Sequence, residues 1–443
     1  MHAGEHLTVP EETVINACGE CELPPLGIIE QRWETDPIGE SHIETNAYDA
    51  VEALDFSAVP SHGEVAIGVG SRGIANIAQI VRSVVEAVGD KGFDPFIFPA
   101  MGSHGGATAE GQKQMLASFG ITPDRVGCRI QSDMAVEQVG ETPDRGVPVV
   151  ADRNAVAADA ILPVNRIKPH TDYDGNVESG LSKMLVIGMG KQRGAKIAHE
   201  WAMEWSFRNM IPEIANLLLE SLPVVGGVAI VENQHDDTAI VEGVPPSGFL
   251  DREAELLETA YDVMPTLPFR QLDVLILDAQ GKDISGQGMD TNVIGRRPFA
   301  INEPEPEHPS IKRIYTRSLS ETTHGNAMGV GSADFVHRNI ATDIAAETTL
   351  INAITASTTR GVRLPPVVET DRAGLTVALS TIGTVDPARA RIIRAPNTMH
   401  LRRLYASPPL VNEARTRTDL SVVREPEPIS FDGGDFAHSF AED

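Results

Sequence analysis

Short apolar runs alternate with longer stretches of helical period along the first 260 or so residues. Val65–Val69 leads into Ile74–Val88, and Pro95–Pro99 leads into Ala109–Phe119. After Val149–Ala151 comes the run Ala160–Val164, then a helical stretch over Gly194–Leu219 and a strand over Val224–Val231. Buried strands joined by helices predict an α/β domain with a mainly parallel sheet. Phe249–Tyr261 reads as the helix that closes this half, and Met264–Pro268 as a linker. A second α/β region opens with Leu272–Leu277; its clearest helix is Asp334–Thr355, and Thr376–Ser380 and Ala390–Ile393 read as strands. Residues 1–50 are acidic and turn-rich around one strand-like piece, Leu26–Gln31. The expected architecture is two α/β domains with mainly parallel sheets and an active-site cleft between them, over 1–267 and 268–425. The remaining segment, 426–443, is expected to be an acidic mobile tail.

Composition narrows the partners. The formal net charge is −27, which argues against a nucleic-acid partner, because phosphate binding needs basic patches. The chain holds only eight lysines, and its acidic residues are spread along its length. That balance points to a salt-rich cytosol, where screening weakens repulsion between carboxylates. No window approaches the roughly 18 consecutive apolar residues of a membrane span. The first twenty residues lack a basic and apolar leader, so the expected location is cytoplasmic. Cys18, Cys21 and Cys128 make no disulfide framework, and the Cys18–Cys21 pair has no nearby zinc-ligand partners.

Gly68, Gly70 and Gly73 spell G-x-G-x-x-G between a strand and a helix, a dinucleotide signature. The acidic residue that should end the second strand is absent; PFIFPA runs into Met101-Gly102-Ser103-His104 instead. Two neighbouring strand ends therefore offer a fixed cation, Arg72, and a titratable imidazole, His104, each among glycines. The plainer reading is a pair of turns that happen to carry these residues. Residues 165–199 hold four of the eight lysines, Lys168, Lys183, Lys191 and Lys196, together with His170 and His199. Lys183 stands at the edge of an apolar run, where partial desolvation favours a neutral, nucleophilic amine, although for Lys183 taken alone a lysine that merely caps a buried strand is the better reading. GMGK lacks the spacing of a phosphate loop, Asp172, Asp174 and Asn176 miss the calcium-loop pattern, and no G-x-S-x-G elbow is present.

Taken together, Arg72, His104, His170, Lys183 and His199 resemble the nickel-dependent lactate racemase family, whose members carry a nickel-pincer nucleotide, a pyridinium-3,5-bisthiocarboxylic acid mononucleotide. Order and spacing carry the likeness: 32 residues separate Arg72 from His104, and 16 separate Lys183 from His199. The resemblance implies a lactate racemase-like catalytic domain in which Lys183 holds the cofactor covalently through a thioamide. Gly70, Ser71 and Arg72 would lie against that cofactor, and His199 would ligate the nickel. His104 and His170 would be the paired acid–base groups of a 2-hydroxy acid racemase or epimerase, the cofactor taking the α-hydride. Implied partners are a small hydroxy acid and the cofactor-synthesis enzymes, with neither nucleic acid nor membrane.

Two departures matter. Val69 stands where the family's racemase carries aspartate. The segment GKDISGQGMDTNVIGRRPF matches the family's substrate-facing stretch, but with Ile294 and Gly295, then Arg296, Arg297 and Pro298 around the lysine position. A 2-hydroxy acid other than lactate, larger or bearing a second anionic group, is therefore expected, with Arg72, Lys282, Arg296 and Arg297 as its cations. A NAD-dependent dehydrogenase and a non-enzymatic nickel- or nucleotide-binding protein of the same fold are the alternatives. His324, in a glycine-rich turn, either lines a cleft or shapes the turn.

Overall fold

Val65, Ile67 and Val69 pack into one apolar cluster and Ala66 into another, so the Glu64–Val69 strand is buried on both faces of its sheet. Such two-sided burial explains the uninterrupted apolar run. The first cluster includes Ile80, Val81 and Val84 of the Ile77–Asp90 helix. The second includes Met210, Ile214 and Leu218 of the Phe207–Ser221 helix and Leu256 and Leu257 of the Phe249–Val263 helix. Burying one Ile or Leu of this kind stabilises the fold by about 1.5–3 kcal/mol.

The computed structural model describes residues 6–19, 21–33, 35–70, 73–297, 303–356, 358–438 and 440. It divides into two compact units, Thr35–Met264 and the pair of segments Met1–Glu34 and Pro265–Asp443. In the first unit, a six-stranded sheet runs in the order Thr238–Val244, Gly227–Glu232, Ala160–Arg166, Glu64–Val69, Asp94–Pro99 and Arg129–Ile130. All neighbours are parallel except the Thr238–Val244 edge strand. The chain steps outward from Glu64–Val69 to Asp94–Pro99, then returns on the other side as Ala160–Arg166. That reversal makes the carboxyl ends of these strands a topological switch point, the preferred ligand position in an open α/β sheet.

The second unit holds a nine-stranded sheet, parallel from Thr8–Val9 through Gln271–Gln280 to Ile392–Ala395 and antiparallel beyond. Both units are thus mixed α/β with mainly parallel sheets, as the apolar runs predict. Among the described residues, no helix is long and apolar enough to cross a membrane.

Several sequence expectations need correction. Residues 1–34 do not join the neighbouring domain. Leu26–Gln31 lies inside the second unit's sheet, antiparallel to both Arg403–Ala406 and Leu420–Glu427. Hydropathy marks a strand but says nothing of a partner more than 370 residues away. The expected mobile tail begins inside the Leu420–Glu427 strand, and Phe431–Asp432 pairs with Asp435–Phe436. Gly194–Leu219 is two helices, Lys191–Trp205 and Phe207–Ser221. The break is at Ser206, which sits at φ 68° while its hydroxyl accepts from the Arg208 N–H. The expected Asp334–Thr355 helix is a strand, Phe335–His337, followed by helices Arg338–Asp343 and Ala346–Thr355. Thr376–Ser380, read as a strand, ends the Asp371–Ser380 helix, whose Gly374 packs directly on the Tyr315 ring.

Candidate active site

Three strand ends meet at the switch point. Beyond Glu64–Val69, Gly70 packs so closely that an added Cβ would lie 3.1 Å from Asn165 Oδ1 and 3.2 Å from Met184 Cε. Here the glycine serves the approach of the neighbouring strand end, since Asn165 belongs to Ala160–Arg166. Asn165 in turn donates through Nδ2 to the Gly180 carbonyl at 2.9 Å, tying the strand to the turn before Lys183. Ser71 and Arg72 lie outside the described residues.

Lys183 ends a single helical turn, Leu181–Lys183, and opens the π-helical turn Met184–Gly188, which is closed by the Met189 N–H to the Met184 carbonyl at 2.8 Å. Such turns are strained relative to an α-helix and occur frequently at functional sites. Lys183 is half-buried, while Ser182 before it and Met184 after it are buried. His199, on the Lys191–Trp205 helix, is close enough for the Lys183 charge to act on it. Burial first, and that ammonium second, lower its pKa from the ordinary 6.5. The imidazole is thereby held neutral, the form a metal ligand requires.

An aromatic chain connects His199 to His170. The Phe207 ring meets His199 edge-on at 5.3 Å, Tyr173 lies 5.5 Å from Phe207, and His170 lies 4.6 Å from Tyr173. His170 follows Ala160–Arg166 through Pro169, and its backbone N–H donates to the Glu178 carboxylate. Its Nδ1 accepts from the Asp172 N–H at 3.0 Å, which leaves the proton of the neutral ring on Nε2.

His104 reaches the same place from the end of Asp94–Pro99. The Gly102 N–H donates to the Gly188 carbonyl at 3.0 Å, so the histidine loop is fastened to the π-turn that follows Lys183. Gly102 has φ 57°, and an added Cβ would lie 3.3 Å from the Ile187 carbonyl. His104 itself is exposed. The unit thus brings the His104 loop, the Lys183 turn and His199 together, with His170 linked through the aromatic chain.

Sequence reasoning passed over Glu253 and Gln112, and noted Lys191 only as one of the four lysines in 165–199. Glu253, from the Phe249–Val263 helix, is fully buried and accepts from Ser182 N and Oγ at 2.9 and 2.5 Å. Burial outweighs these two donors and raises its carboxyl from 4.5 to about 7. Lys191 and Gln112 are also fully buried. A carboxylate inside an otherwise apolar helix face was the available signal for Glu253; Gln112 carries none.

Lys282, Arg296 and Arg297 belong to the other unit. Lys282 Nζ donates to Asn352 Oδ1 at 2.8 Å. Arg296 donates to the carbonyls of Ser332, Ile311 and Lys312 and pairs with Asp334 at 2.8 Å, so its guanidinium braces the sheet. Arg297 is only 2% exposed and donates to Asn292 Oδ1. Pro298 lies outside the described residues. His324 takes a left-handed φ of 49° at the end of a short 3-10 turn, which makes it a turn-former.

The same unit groups His337, Asp371 and Asp435 within 4.8 Å, close enough to share a metal ion. Their donors are already engaged. Asp371 accepts from Tyr315, from two nitrogens of Arg317 and from the Phe436 N–H. Asp435 accepts from Arg338 and the Asp371 N–H, and His337 Nε2 meets it at 3.1 Å. Two guanidiniums balance two carboxylates, so this is an ion-pair network that fastens the terminal hairpin.

Fold and site together define a doubly wound α/β unit with an amine and imidazoles at its switch point. No family model and no curated protein matches the chain. Two solved structures are similar across most of its length. A Thermotoga maritima protein matches 83% of this chain and 99% of its own, at 13% identity and TM-score 0.48. The lactate racemase apoprotein of Thermoanaerobacterium thermosaccharolyticum matches 85% of this chain and 94% of its own, at 12% identity and TM-score 0.49.

Proposed function

We propose that the chain is a racemase or epimerase of a 2-hydroxy acid that works with a nickel-pincer nucleotide attached at Lys183. The observation that supports this reading is the Lys183–His199 pair. A half-buried amine at the edge of a π-turn stands beside an imidazole kept neutral by burial. Neither ring nitrogen of His199 hydrogen-bonds to a described residue, so the donor set suits a metal borne by a lysine-linked group. Such a group, when bound, supplies reversible hydride acceptance, which no side chain offers.

The side chains supply the proton chemistry. Racemisation needs a base for either enantiomer, and two imidazoles meet that need near neutral pH. His104, exposed on its glycine loop, takes the hydroxyl proton of one enantiomer. His170 in its doubly protonated form gives a proton to that oxygen as the other enantiomer forms, the roles reversing in the opposite direction. In either role His170 carries a proton on Nδ1, at the expense of the Asp172 contact. Giving up that single hydrogen bond costs about 1 kcal/mol, which does not prevent turnover. Arg72 would orient the substrate carboxylate through paired N–H donors.

The test is mass spectrometry and metal analysis of protein produced alongside the cofactor-synthesis enzymes, followed by racemisation assays over a panel of 2-hydroxy acids. A Lys183 adduct with one nickel per chain and turnover of one or more acids is expected. Unmodified Lys183 under those conditions overturns the proposal.

A further inference from the structure

Lys191 opens the Lys191–Trp205 helix, yet its ammonium points into the core and its side chain is 0% exposed. Burying an ammonium is costly unless its donors are matched. Here all three directions are used. Nζ pairs with the Asp152 carboxylate at 2.8 Å, donates to the Pro99 carbonyl at 2.5 Å, and donates to Gln112 Oε1 at 3.2 Å. Asp152 is equally buried, and its other oxygen caps the short Arg153–Ala157 helix through the Asn154 and Ala155 N–H groups. Lys191 also holds φ at 54°, a left-handed conformation that a non-glycine residue keeps only when its surroundings enforce it.

The partners of this ammonium share one purpose. Pro99 is the last residue of the strand that leads to His104. Gln112 turns its amide nitrogen to the same loop, donating to the Gly102 carbonyl at 2.9 Å and to the His104 carbonyl at 3.3 Å. Because Lys191 occupies Gln112 Oε1, the amide cannot flip without setting donor against donor. The ammonium thus fixes which end of Gln112 faces the loop. A methionine at 191 would fill a similar volume but leave both the strand end and the amide orientation unspecified.

We infer that Lys191 is a positioning residue: through Gln112 and the Pro99 carbonyl it sets the conformation of the 101–107 loop and so the placement of the His104 imidazole. The catalytic consequence rests on the function proposed above; the conformational one does not.

Two variants test it. Gln112→Met removes the amide without adding a charge, and Lys191→Met combined with Asp152→Asn removes the ammonium without stranding the carboxylate. Amide hydrogen exchange is followed in peptides spanning 101–108, with the Ile77–Asp90 helix as internal control. Both variants should exchange about tenfold faster or more in the loop while the control helix is unchanged, since the lost bonds are local. In cofactor-loaded enzyme with its Lys183 adduct verified by intact mass, kcat should fall about 10–100-fold and KM change by less than about threefold, as when a supporting residue misplaces a catalytic group. Unchanged loop exchange in Gln112→Met overturns the inference, as does faster exchange with kcat unaltered in the loaded enzyme. Should the wild type carry no Lys183 adduct, the function proposal fails and the loop exchange alone decides the role of Lys191.

Discussion

The Glu253 carboxyl, fully buried, accepts hydrogen bonds from both the backbone N–H and the hydroxyl of Ser182, the residue before Lys183. An added Cβ on Gly180 would lie 2.1 Å from Glu253 Oε1, so the carboxyl occupies the space that this glycine leaves. One acidic side chain on the Phe249–Val263 helix thereby sets the turn that presents the lysine.

That carboxyl makes stability depend on pH. Burial raises its pKa from 4.5 to about 7 in the folded chain, so the folded state binds this proton more tightly than the unfolded one. Its contribution is therefore complete below the ordinary carboxyl range and is lost as pH rises through about 7. At about 1.4 kcal/mol per pKa unit, the loss is about 3 kcal/mol. Glu253→Gln, neutral at every pH, should lack this decline, and urea denaturation at several pH values between about 5 and 8 measures it. Parallel curves for wild type and variant would show that Glu253 is not the group responsible.

Gly188 and Gly89 should respond oppositely to the same substitution. A Cβ at Gly188 would lie 2.5 Å from the Ala100 carbonyl oxygen, a contact that the π-turn can relieve only by moving off the strand end. Gly188→Ala should cost about 1–3 kcal/mol and disturb the Gly102–Gly188 bond that fastens the His104 loop. A methyl group added at Gly89, within the Ile77–Asp90 helix, would meet nothing within 4 Å, and alanine there should stabilise by about 0.5–1 kcal/mol. Thermal melts of the two variants decide it; a tolerated Gly188→Ala would mean that the close approach is not required.

Much of the first unit was legible because its strands are buried on both faces. Val65–Val69, Pro95–Pro99 and Ala160–Val164 read as apolar runs, and each lies within an observed strand. The helical period of Ile74–Val88 likewise falls mostly within the Ile77–Asp90 helix. What failed was decided by distant parts of the chain. Leu26–Gln31 finds its partners past residue 400, and Thr376–Ser380 is helical although its threonine and valine favour a strand. The candidate site divides in the same way. Lys183, His170 and His199 stood out by residue type, whereas Glu253, Gln112 and the inward turn of Lys191 depend on packing that no local pattern encodes. Arg296 attracted attention as a free cation in the sequence, but three backbone carbonyls and Asp334 engage it.

The His337–Asp371–Asp435 group should behave as an ion-pair network. Burial alone would push the Asp371 carboxyl up, but Arg317 holds it below its ordinary value of 3.8. Asp371→Asn should therefore cost about 3 kcal/mol, because it removes one partner of a largely buried pair. Divalent cations should give no protection: a metal site with Kd of about 10 μM would add about 2.7 kcal/mol at about 1 mM ion, an increase easily seen in a thermal melt. A rise of that size in the wild type, lost in Asp371→Asn, would turn the network into a metal site.

The division of labour between Lys183 and His199 can be separated by one substitution. Lys183 is proposed to hold the organic part of the cofactor and His199 to ligate the nickel, so His199→Ala should retain the mass increment on Lys183 and lose most of its metal. Structural collapse is not expected, because the imidazole lies half-buried at the helix surface and meets Phe207 only at its edge. The pH response has a definite sign as well. Burial is the larger cause that lowers the imidazole pKa from 6.5, and it remains when Lys183 is acylated and uncharged, so protons compete with a metal only at more acidic pH than for an ordinary histidine. Nickel should therefore remain bound as pH falls through the usual histidine range. Metal analysis after dialysis at a series of pH values, beside peptide mass spectrometry of Lys183, reads both effects. Full nickel content in His199→Ala would move the ligand role to another residue, and release of nickel at or above pH 6.5 would contradict an imidazole held neutral by its surroundings.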